Sequence, residues 1–216
     1  MARGRDVGVG GVGRDMSFLA RTGGLLLAGG RSTRFGSEKA VAAFGDGVLM
    51  DAAASLLGDC ATFAVSAPVG SGAAAHAAAR GVEVLHDDPK HAPGPLAGVC
   101  AGLVWAEARG FAALATAPCD CPALPENLFE ALAAGMGDAP AAYAATHGGV
   151  HPLCAVWRTA LAGPLRAALA GGEHPAVHGL LAAQGARVIL FSDEDAFANA
   201  NTEAALASLK APRSTP

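Results

Sequence analysis

Leu25-Leu26-Leu27-Ala28-Gly29-Gly30-Arg31-Ser32-Thr33-Arg34-Phe35-Gly36-Ser37-Glu38-Lys39 reads as an apolar strand that ends abruptly in two glycines, after which the chain offers Arg31, Arg34 and Lys39. A backbone that wraps closely around phosphate oxygens has to reach conformations that a Cβ atom blocks, and glycine removes that block. Successive N–H groups can then point inward at an anion. Arg34 and Lys39 add full positive charge, Arg as a fork for two oxygens and Lys as a compact point charge. The stretch has the chemistry of a polyphosphate cradle at the end of a strand.

Two commoner glycine motifs are excluded by spacing and context. A P-loop needs Gly, four residues, then Gly-Lys-Ser/Thr, whereas five residues separate Gly30 from Gly36 and Ser37-Glu38-Lys39 follows. A G-x-G-x-x-G does occur at Gly8, Gly10 and Gly13, but Arg3, Arg5 and Asp6 precede it in place of an apolar strand. It reads as part of a Gly-rich leader. We expect residues 1 to 21 to be a disordered leader with Met16 as an alternative start, 22 to 209 to be a single domain, and 210 to 216 to be a flexible tail.

The bulk composition narrows the function classes. The 216 residues suit one α/β domain. At 52% hydrophobic and 16% charged, the chain is far from disordered composition, and no stretch approaches the roughly 18 continuous apolar residues of a spanning helix. A net charge of −4 gives no general attraction to nucleic acid or to an anionic membrane. An anionic substrate therefore needs local cations and a metal ion. Cys60, Cys100, Cys119, Cys121 and Cys154 are odd in number and scattered, as in a reduced cytoplasmic protein, and Cys119-x-Cys121 lacks the second pair of a zinc site.

Short apolar runs at 24–28, 61–66, 82–85 and 111–116 predict strands. Helices are predicted at 49–57, 72–79, 96–108 and 126–134, with further strands at 141–146, 151–156 and 188–191. Alternation of this kind argues for a mostly parallel sheet covered on both faces. Ligands bind beyond the carboxyl ends of such strands, so functional residues should follow strands. Ser66 closes the second strand. His86-Asp87-Asp88-Pro89 follows the third, where either carboxylate could accept the ring N–H and amino group of guanine or simply cap a turn. Gly94-Pro95-Leu96-Ala97-Gly98 starts a helix, with small residues that let backbone approach a flat ligand and Pro95 at the first helical position. Asp120 follows the fourth strand between Pro118 and Pro122, which restrict its backbone. Mg²⁺ at nucleotide sites typically takes one or two carboxylates plus phosphate oxygens and water. His147/His151 flank a Gly-Gly turn and His174/His178 enclose Pro175, so neither pair has the helical context of a metal site. Asn199 and Asn201, two apart, face the same way on an extended segment.

Leu27 to Lys39 matches, position for position, the nucleotidyltransferase pattern Leu-Ala-Gly-Gly-x-x-x-Arg-x-Gly-x-x-Lys. Together with Pro93-Gly94-Pro95-Leu96-Ala97-Gly98, the Cys-Asp-x-Pro-x-Leu-Pro run from Cys119, His151-Pro152-Leu153 and Asn199-x-Asn201-Thr202, it resembles the molybdenum cofactor guanylyltransferase family over residues 24–209. The resemblance implies a three-layer, Rossmann-like nucleotidyltransferase fold in a cytoplasmic enzyme. It implies transfer of GMP from GTP to molybdenum-bound molybdopterin with Mg²⁺, and transient contacts with proteins that deliver molybdopterin and receive the cofactor. It further implies that Leu27, Ala28, Gly29 and Gly30 hold the nucleotide, with Ser66, Pro95 and Leu96 beside them. Arg34 and Lys39 would serve the triphosphate, Asp87 would read guanine, and Asp120 would hold Mg²⁺ near the α-phosphate. Asn199 and Asn201 would face molybdopterin. Ser66 stands where relatives often carry Asn. A CTP-using molybdopterin cytidylyltransferase or another small-molecule nucleotidyltransferase, and a nucleotide-binding regulator without turnover, are the competing readings.

Overall fold

The computed structural model describes residues 16–29, 38–91, 93–172, 174–200 and 205–206. Gly30, Arg31, Arg34 and Asn201, together with the motif at Gly8 to Gly13, lie outside the described residues.

The chain opens with a one-turn helix α1 (Met16–Leu19) and strand β1 (Thr22–Leu27). After Lys39 come the short strands β2 (Ala43–Phe44) and β3 (Gly47–Val48), helix α2 (Leu49–Ser55) and strand β4 (Thr62–Ser66). Helix α3 (Gly72–Ala79), strand β5 (Glu83–Leu85), helix α4 (Pro95–Ala108) and strand β6 (Ala113–Pro118) complete the parallel half. Helix α5 (Leu128–Met136), the hairpin β7 (Ala141–Thr146) and β8 (Gly149–Arg158), helices α6 (Ala162–Ala170) and α7 (Val177–Ala183), and strand β9 (Arg187–Leu190) follow.

Seven strands form one sheet in the order β5-β4-β1-β6-β8-β7-β9. The pairings make β8 antiparallel to both its neighbours while β9 runs parallel to β7, so β8 alone opposes the rest. The fold is therefore the mostly parallel α/β sheet expected. Leu25 and Leu26 show how both faces are covered: alternate residues of a strand point to opposite sides. Leu26 joins Val65, Leu128 and Leu132 on one face, and Leu25 joins Leu96, Leu103 and Trp157 on the other. Among the described residues, no helix is long and apolar enough to cross a membrane.

Helix α4 lies close on β1 because its inner face carries glycines one turn apart. A Cβ at Gly98 would sit 2.5 Å from Ser66 Oγ, and one at Gly102 would sit 2.5 Å from Leu25 Cδ2 and 3.0 Å from Leu114 Cδ2. Its far end closes on Gly110, where φ is +74° and the Gly110 and Phe111 N–H groups donate back to Glu107 and Ala106. Across the β6/β8 seam the buried Thr116 Oγ1 donates to Leu153 O at 2.7 Å and accepts from Trp157 Nε1 at 3.0 Å. Leaving such groups unpaired in the core would cost about 1–3 kcal/mol each.

Several expectations are corrected. Residues 16–21 do not belong to a disordered leader: Leu19 is buried, Phe18 packs on the same core, and the Thr22 hydroxyl donates to Phe18 O at 2.8 Å. Helix α5 starts two residues later than predicted, after a turn in which Leu128 N–H donates to Pro125 O. Strand β8 is longer than predicted because its two halves have different neighbours, with only residues 155–158 pairing to β6. Helices α6 and α7 were hidden by Gly163-Pro164 and Gly171-Gly172. Pro164 lies in the first turn of α6, where a missing N–H is harmless, and Leu165, Leu169 and Leu181 form the buried stripe.

Gly102→Ala is expected to destabilise the protein by about 1–3 kcal/mol through overpacking. Gly163→Ala, where an added Cβ meets nothing within 4 Å, should fall within about 0.5 kcal/mol of the parent or above it. Urea denaturation of the two variants checks the difference.

Candidate functional site

The parallel register brings four strand ends level. Leu27 pairs with Ser66 on one side and Pro118 on the other, and Ser66 pairs with Leu85. The zipper continues one residue further, with Ala28 N–H donating to Ser66 O (2.8 Å), Cys119 N–H to Leu27 O (3.0 Å) and Ala67 N–H to Leu85 O (3.1 Å). The loops after residues 27, 66, 85 and 118 consequently leave from one edge.

Lys39 returns to that edge on a short 3₁₀ turn, Lys39–Val41. Its Nζ lies 3.1 Å from Asp120 Oδ2, with the Lys39 side chain 10% and the Asp120 side chain 30% exposed. A lysine so far from water needs an anion close by, and Asp120, across 81 residues of sequence, is one. The preceding residue sets the position. The Glu38 carboxylate accepts from the Gly72 and Ala73 N–H groups at 2.6 and 2.7 Å, the free donors at the start of α3. Ser71 caps the same helix through Ala74 N–H. Glu38 is thus anchored to a helix N-terminus, and the next side chain, Lys39, reaches Asp120 at the edge.

Asp120 is tied to the C-terminal segment. Its carbonyl accepts from Ala200 N–H at 2.8 Å, and the neighbouring Cys121 Sγ lies 2.8 Å from Asn199 Oδ1. Asn199 is exposed between the buried residues Phe197 and Ala200. Phe197 in turn stacks on His151 at 4.5 Å. His151 lies within β8, as the strand predicted at 151–156 has it, paired with Ala144. Burial lowers its pKa, and its Nε2 meets Thr146 Oγ1 at 3.2 Å.

The chemistry of this edge fits Mg²⁺. Asp120 offers a hard, partly exposed oxygen donor, and among the described residues no group of three His, Cys, Asp or Glu side chains could hold a metal alone. Phosphate oxygens and water would complete the shell, as that ion prefers. The flanking thiols do not compete: burial and the Asp120 charge push Cys119 up to about 12, and Cys121 is also raised, so both stay protonated.

At the β5 end the two candidate carboxylates separate. Asp88 Oδ1 accepts from Lys90 N–H at 2.9 Å and closes a turn, while His86 Nδ1 bonds Ala67 O and anchors the strand end. Asp87 is exposed as a residue, yet loss of hydration around its carboxyl group raises its pKa, with the His86 and His91 charges opposing. Pro95 is exposed at the first turn of α4, whereas Leu96 is fully buried and Ser66 is 4% exposed. The side chains of Ser66 and Leu96 face the interior, because α4 packs directly over β1 and β4. Leu27, Ala28, Gly29, Lys39, Asp87, Asp120 and Asn199 line the same end of the sheet. Glu38 and Cys121 were missed by sequence reasoning, since both stand at open positions of their motifs and their partners are 34 or more residues away.

A family model described as "MobA-like NTP transferase domain" matches residues 24–196. A molybdenum cofactor guanylyltransferase of Cereibacter sphaeroides is 42% identical over 186 residues, covering 85% of this chain and 93% of the relative. One from Acidiphilium cryptum is 40% identical over 192 residues, covering 88% and 94%. Among solved structures, molybdopterin-guanine dinucleotide biosynthesis protein A from Archaeoglobus fulgidus superposes with a TM-score of 0.66 at 21% identity, over 88% of this chain and 97% of that one. The 2-C-methyl-D-erythritol 4-phosphate cytidylyltransferase of Thermus thermophilus gives 0.58 at 19% identity, over 86% and 96%. The last two speak to the fold alone.

Glu38→Ala should lower stability by about 2 kcal/mol, the scale of charged hydrogen bonds to two helix donors, and Glu38→Gln by less. Thermal unfolding of both variants beside the parent measures it.

Proposed function

The chain belongs to the molybdenum cofactor guanylyltransferase family and is a nucleotidyltransferase, and from that premise we propose that it transfers GMP from GTP to molybdenum-bound molybdopterin in the presence of Mg²⁺. The observation that carries the reading is the Lys39–Asp120 pair at the carboxyl edge of the sheet. In that pair a cation suited to phosphate oxygens stands beside a carboxylate suited to a divalent ion, which supports the reading.

In this reading the terminal phosphate of the acceptor attacks the α-phosphorus of GTP. A new phosphoanhydride bond forms as the bond to the β-phosphate oxygen breaks, and pyrophosphate leaves. The nucleophile is already anionic, so no strong base is required, and the barrier lies in bringing two polyanions together. Lys39 and Arg34 lower it by neutralising phosphate oxygens. Asp120 would hold Mg²⁺, which would supply charge neutralisation on the phosphates when bound. Leu27, Ala28, Gly29 and Gly30 supply backbone to the nucleotide, with Pro95 and the main chain of Ser66 and Leu96 nearby. Asn199 and Asn201 face the acceptor. Reduced thiols and free GTP fit work in the cytoplasm, with transient docking to the proteins that hand over molybdopterin and take the finished cofactor.

Asp87 supports guanine over cytosine. Guanine presents a ring N–H and an amino group on one edge, both donors that a carboxylate can accept together, whereas cytosine presents one amino donor beside acceptors. Asp88 is engaged by Lys90 N–H in its own turn.

Pyrophosphate release with Mg²⁺, molybdenum-bound molybdopterin and either GTP or CTP tests the reading. Turnover with GTP is expected, and turnover with CTP alone would overturn it. Lys39→Ala and Asp120→Ala should each reduce kcat/KM by about 10²–10³-fold with the fold retained. Near-parental turnover in either would remove that residue from the mechanism. Because Asp87 must be ionised to accept, and its pKa is raised, GTP affinity should weaken on acidification at a pH above the ordinary carboxylate range. Asp87→Asn should abolish this dependence in calorimetric titrations.

A further inference from the structure

The link between the metal-side carboxylate and the acceptor-side amide passes through a residue that the Cys-Asp-x-Pro pattern leaves open. Cys121 is 3% exposed. Its Sγ lies 2.8 Å from Asn199 Oδ1, 3.7 Å from Asp120 Oδ1 and 3.9 Å from Phe197 O. Three acceptor oxygens surround one sulfur. That is an environment for an S–H donor and a hostile one for a thiolate.

The consequence falls on Asn199. A side-chain amide has an acceptor end and a donor end, and a thiol that donates selects the oxygen. The NH₂ group is then turned away from Cys121. The segment that carries Asn199 is itself held, because Ala200 N–H is bonded to Asp120 O and Phe197 stacks on His151, so the thiol is left to select the end of the amide. Asn199 itself is exposed while Ala196, Phe197 and Ala200 are buried. The amide is therefore what this segment shows at the edge, and Cys121 decides which end of it.

We propose that Cys121 is a positioning residue: its S–H holds Asn199 Oδ1 so that the Asn199 NH₂ group is presented as a donor to the acceptor substrate, in step with Asp120. The identity of the acceptor rests on the proposed function. The contact does not.

The test uses the full chain with Cys121→Ala, Cys121→Ser and the double variant Cys121→Ala/Asn199→Ala. Steady-state kinetics with GTP and molybdenum-bound molybdopterin should show the acceptor KM raised about three- to tenfold in Cys121→Ala, the scale of one hydrogen bond. The GTP KM and kcat should stay within about twofold. Cys121→Ser, which keeps the donor, should recover most of the loss, and adding Asn199→Ala to Cys121→Ala should cost little more than Asn199→Ala alone. An unchanged acceptor KM in Cys121→Ala, or equal losses for GTP and acceptor in both single variants, would overturn the proposal. A second readout needs no substrate: the Asn199 side-chain amide resonances, assigned with Asn199→Asp, should shift in Cys121→Ala and return in Cys121→Ser. If the parent protein transfers no guanylyl group the proposed function falls, while these resonances still decide the contact. Resonances unmoved in Cys121→Ala would refute it.

Discussion

Everything at the site hangs on the register of the central strand. Leu27 stands level with Ser66 and Pro118, and Ser66 with Leu85, so four loops start from one line. A parallel sheet forces this, because its crossover helices return every strand to the same starting edge. The glycines of α4 sharpen it by letting the helix settle on β1 until Gly98 and Gly102 touch Ser66 and Leu25. Residues with no sequence proximity are thus held at a common edge by one ladder of backbone hydrogen bonds.

On that edge the chain places a strongly sheltered lysine against a half-sheltered carboxylate. At 3.1 Å the gross attraction is about 5 kcal/mol in an effective dielectric near 20. Desolvating two ions consumes a comparable amount, so the pair is a poor source of stability. Its value is in being poised: both groups are already stripped of part of their water and held by other parts of the fold, Lys39 through Glu38 on α3 and Asp120 through Ala200. In a protein of net charge −4, Lys39 concentrates positive charge locally at this edge.

The C-terminal segment completes the edge by a different route. Strand β8 continues past its pairing with β6, and His151 on that extension stacks on Phe197. The stack, the Ala200–Asp120 bond and the Cys121–Asn199 contact bring residues 197–200 beside residue 120. His151 of the His-Pro-Leu run and residues 197–200, far apart in the chain and without obvious common purpose, are parts of one brace.

Sequence alone determined the elements whose signal is local. The apolar runs with glycine breaks located most strands within two residues, and the alternation with helices set the sheet as mostly parallel. Asp87 and Asp120 stood out by following such runs closely, and Lys39 as a cation of the glycine-containing stretch after the first run. Helices α6 and α7 escaped because glycine and proline at their ends outweighed a short apolar stripe, and the ordering of residues 16–21 escaped because α1, with buried Leu19 and half-buried Phe18, packs in part on α5, far along the chain. What tertiary structure alone decided was pairing: that Glu38 caps α3, that Asp88 is spent on its own turn while Asp87 is not, that Ser66 and Leu96 turn inward, and that Cys121 faces Asn199. Each depends on which oxygen lies within about 3 Å of which donor. Distances of that kind are set by the packing of two helix layers on one sheet, and no spacing along the chain contains them.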